Sequence, residues 1–497
     1  MVCRHRHFIV DTRCFTKPPG RFSPLCKVSR QFNLVATPFL YKHFRLDARV
    51  PTNMRDLESC QRSVVRVLGS YLTVLQSNRN LDEHCQSLEL ILNHLSLNDA
   101  MRDALDQVLR QMPNLKRLRL CLSHVWGLCQ WWDSYSGVAG AESGLVQLLL
   151  PYMPQMEELS LEITTKSWPQ LIPPETRARI TESPREWLPP LDSISRVRAS
   201  PAGELLALLE HAPRLEALQI VDLLSKSAWQ NVDSRLGLQL SASQNAIFSN
   251  MKSLSLSSYW AGDDHHLWPV LRNIKNLQHF AIDFGNGSSL GDVEKRVAVF
   301  SAGFWDLLLL HKKSLRSLAL LCTGLDLDWW NELRKPSPGP DWSPYAPFAD
   351  FEALEELTLA LHGPYSLADP VRVRSHAPPR LKRLLLSFWR PDSKFGFLEE
   401  SRVRFGSGRL SLVSMFIDAA RNTGLKEAII EGIMSENSNQ KECARLISQW
   451  RQWGVKTTFF DPETCEITVG RVPRPRPIPD DHLMPLRFRH FRVFYGL

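Results

Sequence analysis

No stretch of 18 to 20 residues in this chain is apolar enough to cross a bilayer as a helix, so no membrane-spanning segment is expected. Ten cysteines among 497 residues form no Cys-x-x-Cys pair, which argues against a disulfide framework and against paired-cysteine zinc sites. The chain has no Gly-x-x-x-x-Gly-Lys phosphate loop and no His-Glu-x-x-His metal helix. Gly406-Ser407-Gly408 lacks the strand and helix that flank a nucleophile elbow. No catalytic residue, cofactor or metal is therefore expected, and the chain is not read as an enzyme. Charge of one sign is also lacking. Sixty Lys and Arg against 52 Asp and Glu leave +8, enough to permit an acidic partner but too dispersed to predict nucleic acid.

Two polar clusters could suggest chemistry. Asp263-Asp264-His265-His266 offers four metal-ligand types, but consecutive residues on one loop cannot all face one ion, so it reads as solvated loop. Asp326-x-Asp328 stands beside Trp329-Trp330, and these tryptophans, like Trp131-Trp132, read as anchors of inserted loops. Residues 1–30 carry seven Lys and Arg against one acid, Asp11. Pro18-Pro19-Gly20 interrupts any amphipathic presequence helix there, and no apolar secretory core is present. With Cys85, Cys121 and Cys322 in or beside apolar phrases, the thiols read as small buried hydrophobes of a reducing compartment, cytosol or nucleus.

What the chain does have is a recurring phrase: an apolar residue, two variable ones, Leu, one variable, then an apolar residue. It stands at Leu115–Leu120, Leu215–Ile220, Leu315–Leu320, Leu354–Leu359 and Leu381–Leu386. Looser copies start at Cys85, Met156, Ile194, Met251, Leu277 and Leu425. Starts at 251 and 277, or 354 and 381, lie 26 and 27 residues apart, within the spacing of leucine-rich repeats. Longer intervals hold Pro-, Gly- and Trp-rich insertions such as Lys335–Pro340.

A helical pattern precedes several copies. Met101, Leu105, Val108 and Leu109 share one face, Asn98 or Asp99 is placed to cap the start, and Met112-Pro113-Asn114 ends it. Leu205, Leu206 and Leu209 repeat the pattern after Pro201, and Phe304–Leu310 repeats it ahead of Lys312 and Lys313. One such unit cannot bury its own apolar face, so copies must stack. The expected fold is α/β: an irregular leucine-rich-repeat solenoid over residues 85–465, with parallel strands on the concave face and helices on the convex face. Its C-terminal cap is a helix with Leu446, Ile447, Trp450 and Trp453, ended by Gly454, then strands over 455–459 and 465–469. Residues 466–497 form a Pro-rich, basic tail, 49–84 a helical connector, and 1–20 an unrelated or disordered segment.

Residues 21–48 read as two short helices. Leu25, Val28, Phe32 and Val35 stripe the first; Pro38 opens a second carrying Leu40, Tyr41 and Phe44. The run Leu25-Cys26-x-Val28-Ser29-Arg30-x-Phe32-Asn33, followed by Ala36-Thr37-Pro38 and Leu40-Tyr41, resembles the C-terminal half of the F-box of filamentous-fungal F-box proteins. The resemblance covers about 20 residues and implies a substrate-recognition subunit of an SCF-type cullin-RING ubiquitin ligase. In that family the F-box docks a Skp-type adaptor, the cullin follows, and the repeats hold a target protein. It implies Leu25, Val28, Phe32, Leu40 and Tyr41 as adaptor-facing residues. Residues 1–24 contain no counterpart of the Leu-Pro, carboxylate and Ile-Leu elements that open the family's F-box. Either that first helix is lost or the natural start lies upstream. A repeat scaffold with a degenerate F-box and no ligase role is the alternative.

The variable positions of the phrase are the candidate target-binding surface, facing solvent on the concave side. They are Lys116, Arg117 and Arg119; Glu216 and Gln219; Arg316; Glu355, Glu356 and Thr358; and Lys382 and Arg383.

Overall fold

The computed structural model describes residues 8–11, 42–49, 57–77, 81–93, 98–123, 148–164, 191–200, 212–220, 248–259, 267–284, 302–321, 348–360, 377–387, 417–418, 421–431, 437–461 and 466–468. They fall in two units, 1–221 and 222–497.

The first unit holds seven strands: β1 (Phe8–Asp11), β2 (His43–Arg49), β3 (Ser87–Asn93), β4 (Arg117–Ser123), β5 (Glu158–Thr164), β6 (Arg196–Ser200) and β7 (Ala217–Ile220). Each pairs in parallel with the next in chain order. The second unit continues the plan with β8 (Ser253–Tyr259), β9 (His279–Phe284), β10 (Ser317–Leu321), β11 (Glu356–Ala360), β12 (Arg383–Ser387), β13 (Glu427–Glu431) and β14 (Lys456–Asp461). These too are parallel neighbours in order, and a final antiparallel strand, β15 (Glu466–Thr468), pairs with β14. The architecture is α/β with open parallel sheet, compatible with a solenoid.

The register follows the phrase. Leu88, Leu118, Leu159, Val197 and Leu218, all at position four, are successive partners. Phe280, Leu318, Leu357, Leu384 and Ala428 do the same in the second unit. One residue of slip would turn every one of these side chains to the opposite face, so apolar period-two patterning pins the alignment. Positions four and six are buried almost without exception, as in Leu90, Leu120, Leu161, Leu320, Leu359 and Leu386. At about 1.5 to 3 kcal/mol for each fully buried Leu, the stacked phrases supply the core that no single copy could.

Backbone hydrogen bonds reinforce that register where each strand starts. The carbonyl at position two accepts two N–H groups from the next copy. Lys116 O takes Glu157 N at 2.7 Å and Glu158 N at 3.0 Å, and Gln278 O takes Arg316 N at 2.7 Å and Ser317 N at 3.0 Å. Just before, the N–H at position one donates to the residue three back: Leu115 to Met112 O at 3.1 Å, Met156 to Met153 O at 3.0 Å, Leu215 to Ala212 O at 3.1 Å. Met112, Met153, Leu191, Ala212, Phe248 and Phe351, which hold that earlier position, are all buried. The working unit thus gains a fourth apolar position, three residues ahead of the phrase.

Helices cover the face of positions four and six. In α1 (Leu57–Ser77) the buried Val64, Leu68, Tyr71 and Leu75 recur at helical spacing, and the Tyr71 ring stacks on Phe44 of β2 at 3.8 Å. In α2 (Asp99–Arg110) the expected face of Met101, Leu105, Val108 and Leu109 is buried, and Asn98 is the cap, its side chain accepting Met101 N–H at 3.0 Å. A 3-10 turn over Leu150–Gln155 is tied to α2 by Tyr152, which donates to Asp106 at 2.7 Å. The second unit has α3 (Leu267–Asn273), α4 (Ala302–Leu309) and α5 (Asn437–Gln452). Phe304 of α4 meets Phe280 of β9 with ring centroids 6.5 Å apart, and Trp450 of α5 stacks on Phe459 of β14 at 6.3 Å. Gly454, with φ of +77°, ends α5 in a left-handed turn that glycine adopts without Cβ strain.

Two expectations for the N-terminal region are corrected. Phe44 stands on β2, not on a helix opened by Pro38. His43-Phe44-Arg45-Leu46 pairs residue for residue with Ser87–Leu90, which makes it positions three to six of another phrase copy. Phe44 and Leu46 alternate inward with period two, and their ladder to β3 outweighs local helical spacing. The sheet therefore starts before residue 85. It also reaches Phe8–Asp11, placed in the segment expected to be unrelated or disordered, because β2 presents a free parallel edge for it to pair with. Leu205, Leu206 and Leu209, the Asp263–His266 cluster and the tail beyond 468 lie outside the described residues.

Candidate functional site

Since positions four and six point to the helices, strand alternation sends positions three and five to the opposite sheet face. In-register stacking then lines up like positions about 4.8 Å apart from strand to strand. Whatever charges occupy them must face one another.

In the first unit those charges alternate in sign. At position five Glu89 lies between Arg45 (3.5 Å) and Arg119 (2.6 Å). At position three Glu158 lies between Arg117 (3.3 Å) and Arg196 (3.1 Å). At position two Lys116 meets Glu157 at 2.7 Å. Each cross-strand pair of this exposure is worth about 0.2 to 1 kcal/mol, and removing one sign leaves like charges opposed.

The second unit repeats the device and then departs from it. Lys382 pairs with Glu355 at position two, at 2.7 Å, and that hydrogen bond, with the nearby positive charges, holds the Glu355 carboxyl below its ordinary range. At position three a chain runs Glu356–Arg383 (2.9 Å), Arg383–Glu427 (3.0 Å) and Glu427–Lys456 (3.3 Å). Ser317 donates to Glu356 from the other side at 3.4 Å. Position five is instead uncharged: Ser255, Ala281, Ala319, Thr358 and Leu385 are buried, and Ile429 and Thr458 are half-buried. His279, at position three between Ser253 and Ser317, is lowered in pKa chiefly by burial; Glu356 opposes that shift and Arg316 adds to it.

The eleven residues read from sequence as a target-binding face all stand at positions two, three or five. In the first unit Lys116, Arg117 and Arg119 are drawn into ion pairs with Glu157, Glu158 and Glu89, and Glu216 is exposed. Gln219, expected in solvent, is buried. In the second unit Arg316 is exposed, Glu355 and Glu356 pair with Lys382 and Arg383, and Thr358 is buried, again contrary to expectation. Thr358 lies mid-face, where β10 and β12 on either side shield its short side chain. Leu25, Val28, Phe32, Leu40 and Tyr41 fall outside the described residues.

Sequence reasoning missed the partners: Arg45, Glu89, Glu157, Glu158, Arg196, Glu427 and Lys456. Writing the phrases under one another would have found most of them, since opposite signs then share a column. Lys42 to Leu46 escaped because it adjoins the F-box-like run, whose helical reading took in Phe44. Its backbone gives it away: Lys42 O accepts Gln86 N at 3.0 Å and Ser87 N at 3.1 Å, the same double acceptance as at Gln86, Lys116, Glu157 and Gln278.

Among the described residues no group of His, Cys, Asp and Glu is arranged to hold a metal ion, and no helix is long and apolar enough to cross a membrane. Cys85, Cys121 and Cys443 are buried. The Cys85 thiol lies 3.2 Å from the Tyr71 hydroxyl and donates to Leu81 O at 3.2 Å. A scan against protein-family models matches none, and a search of curated proteins gives no match.

Proposed function

We propose that this chain is a leucine-rich-repeat recognition protein serving an SCF-type cullin-RING ubiquitin ligase. The F-box-like run, Leu25 to Tyr41, docks a Skp-type adaptor, and the outward sheet face holds a target protein. Ubiquitin transfer belongs to the partners, and the chain needs no cofactor. The single observation that carries the recognition half is the in-register column of side chains at positions two, three and five. A ridge of fixed, ion-paired polar groups is a preorganised surface with few free rotamers left to immobilise on binding. The ligase half rests on the Val28-Ser29-Arg30-x-Phe32-Asn33 and Thr37-Pro38-x-Leu40-Tyr41 motifs.

One observation favours the alternative, a repeat scaffold without a ligase role. The residues that follow the F-box-like run at once, His43 to Leu46, belong to the sheet, with Phe44 and Leu46 in its core. Any adaptor-docking element must therefore be complete before residue 42.

Co-purification of a Skp-type adaptor and cullin from a fungal lysate by the tagged full chain tests the proposal, with Val28→Asp/Phe32→Asp as the comparison. Recovery by the wild type and loss in the variant supports the ligase role. Recovery of no adaptor by either leaves the scaffold reading.

A further inference from the structure

The two units differ in the charge of their outward face. Positions three and five of β2 to β6 carry five arginines and two glutamates; the same positions of β8 to β14 carry two cations and two carboxylates. In the first unit each carboxylate is clasped by two guanidinium groups, so each triad keeps one positive charge in excess. At the Glu158 triad that excess is also the more accessible part. The Arg117 and Arg196 side chains are 50% and 54% exposed, while the Glu158 between them is 23% exposed. A partner approaching β4 to β6 meets cations first and the recessed carboxylate second.

We infer that this face of the first unit recognises an acidic segment of a partner protein, through Arg117, Arg119, Arg196 and Arg198. This deepens the recognition reading above and rests on it. Guanidinium forks match carboxylates in pairs of parallel hydrogen bonds, which favours arginine over lysine for such a role. Arg117 and Arg196 sit two strands apart, roughly 9.6 Å. An extended polyproline-type segment repeats its side-chain direction every three residues, roughly 9.3 Å, so an acid at every third position would meet both. Nucleic acid fits less well. Among positions three and five of β2 to β6 there is no Phe, Tyr or Trp to stack a base, and Glu158 and Glu89 interrupt the track a phosphate backbone would follow.

The test uses the full chain and three fluorescent probes: a (Glu-Pro-Pro)4 peptide, a (Lys-Pro-Pro)4 peptide and a twelve-nucleotide uridine RNA. The acidic peptide is expected to bind best, with affinity falling as salt rises. Arg117→Glu/Arg196→Glu should weaken it about tenfold or more, and Glu158→Gln should tighten it several-fold. Lys312→Glu/Lys313→Glu, exposed in the second unit, should change it less than twofold even though it alters net charge equally. Equal weakening by both charge reversals would overturn the inference, as would tighter binding of RNA than of the acidic peptide, or no gain from Glu158→Gln. Thermal melting of each variant separates lost binding from lost fold. Adaptor capture, measured on the same preparations, stands apart: a chain that captures adaptor but ignores the acidic peptide refutes only this inference, and the converse refutes only the ligase role.

Discussion

Arg383 and Glu427 occupy the same phrase position on adjacent strands, and the Arg383 Nε lies 3.0 Å from the Glu427 Oε2. Neither was chosen by its own sequence neighbours. What joins residues 44 apart is the register, which places position three of one copy beside position three of the next. The pair should therefore couple energetically. A double-mutant cycle of Arg383→Ala and Glu427→Ala, read by urea unfolding, is expected to give about 0.2 to 1 kcal/mol, shrinking in high salt. Zero coupling at low salt would mean that the two do not face each other in solution.

Phe44 distinguishes a strand from the second of the two helices expected over residues 21–48. Buried and stacked on Tyr71, it should cost about 3 to 5 kcal/mol when replaced by Ala. A change below about 1 kcal/mol, the ordinary result for a surface position, would return Phe44 to a helix.

Histidine protonation should make the second unit acid-sensitive. His311 is buried in the turn between α4 and β10, and its Nε2 lies 2.9 Å from Leu271 O, so the neutral ring donates there. Burial lowers its pKa, with the carbonyl opposing, and burial lowers that of His279 as well. A depressed histidine contributes stability that is present above the unfolded value of 6.5 and declines as pH falls below it. Urea midpoints should drop between pH 7.5 and 5.5, and His311→Gln, which keeps a donor without a titrating ring, should flatten that drop. An unchanged slope in His311→Gln would assign the effect elsewhere.

Two glycines should respond in opposite directions. Gly69 lies inside α1 with open space where a Cβ would go, so Gly69→Ala should stabilise by roughly 0.5 to 1 kcal/mol. Gly454 has φ of +77°, and Ala there should destabilise by a similar or larger amount. Melting temperatures of the two variants, moving apart from the wild type, check both.

Much of the core was legible because it is periodic. Leu118, Leu318, Leu357 and Leu384 announce themselves by spacing, and so does the Met101–Leu109 face of α2. What was not legible depends on pairing between distant residues. Arg117 alone looks like an exposed cation; only the register reveals that Glu158 lies between it and Arg196. Gln219 and Thr358 look like solvent positions by alternation, yet both are buried. β2 was hidden by a competing helical motif immediately upstream. β1 has no phrase of its own, and edge pairing rather than local pattern places it.

The most direct measurement is a calorimetric titration of a purified Skp-type adaptor into the full chain. Saturable binding is predicted, abolished by Val28→Asp/Phe32→Asp and unaffected by Arg117→Glu/Arg196→Glu, since docking and target recognition use different surfaces. No heat of binding to a wild-type chain that melts cooperatively would contradict the ligase role and leave a repeat scaffold in its place.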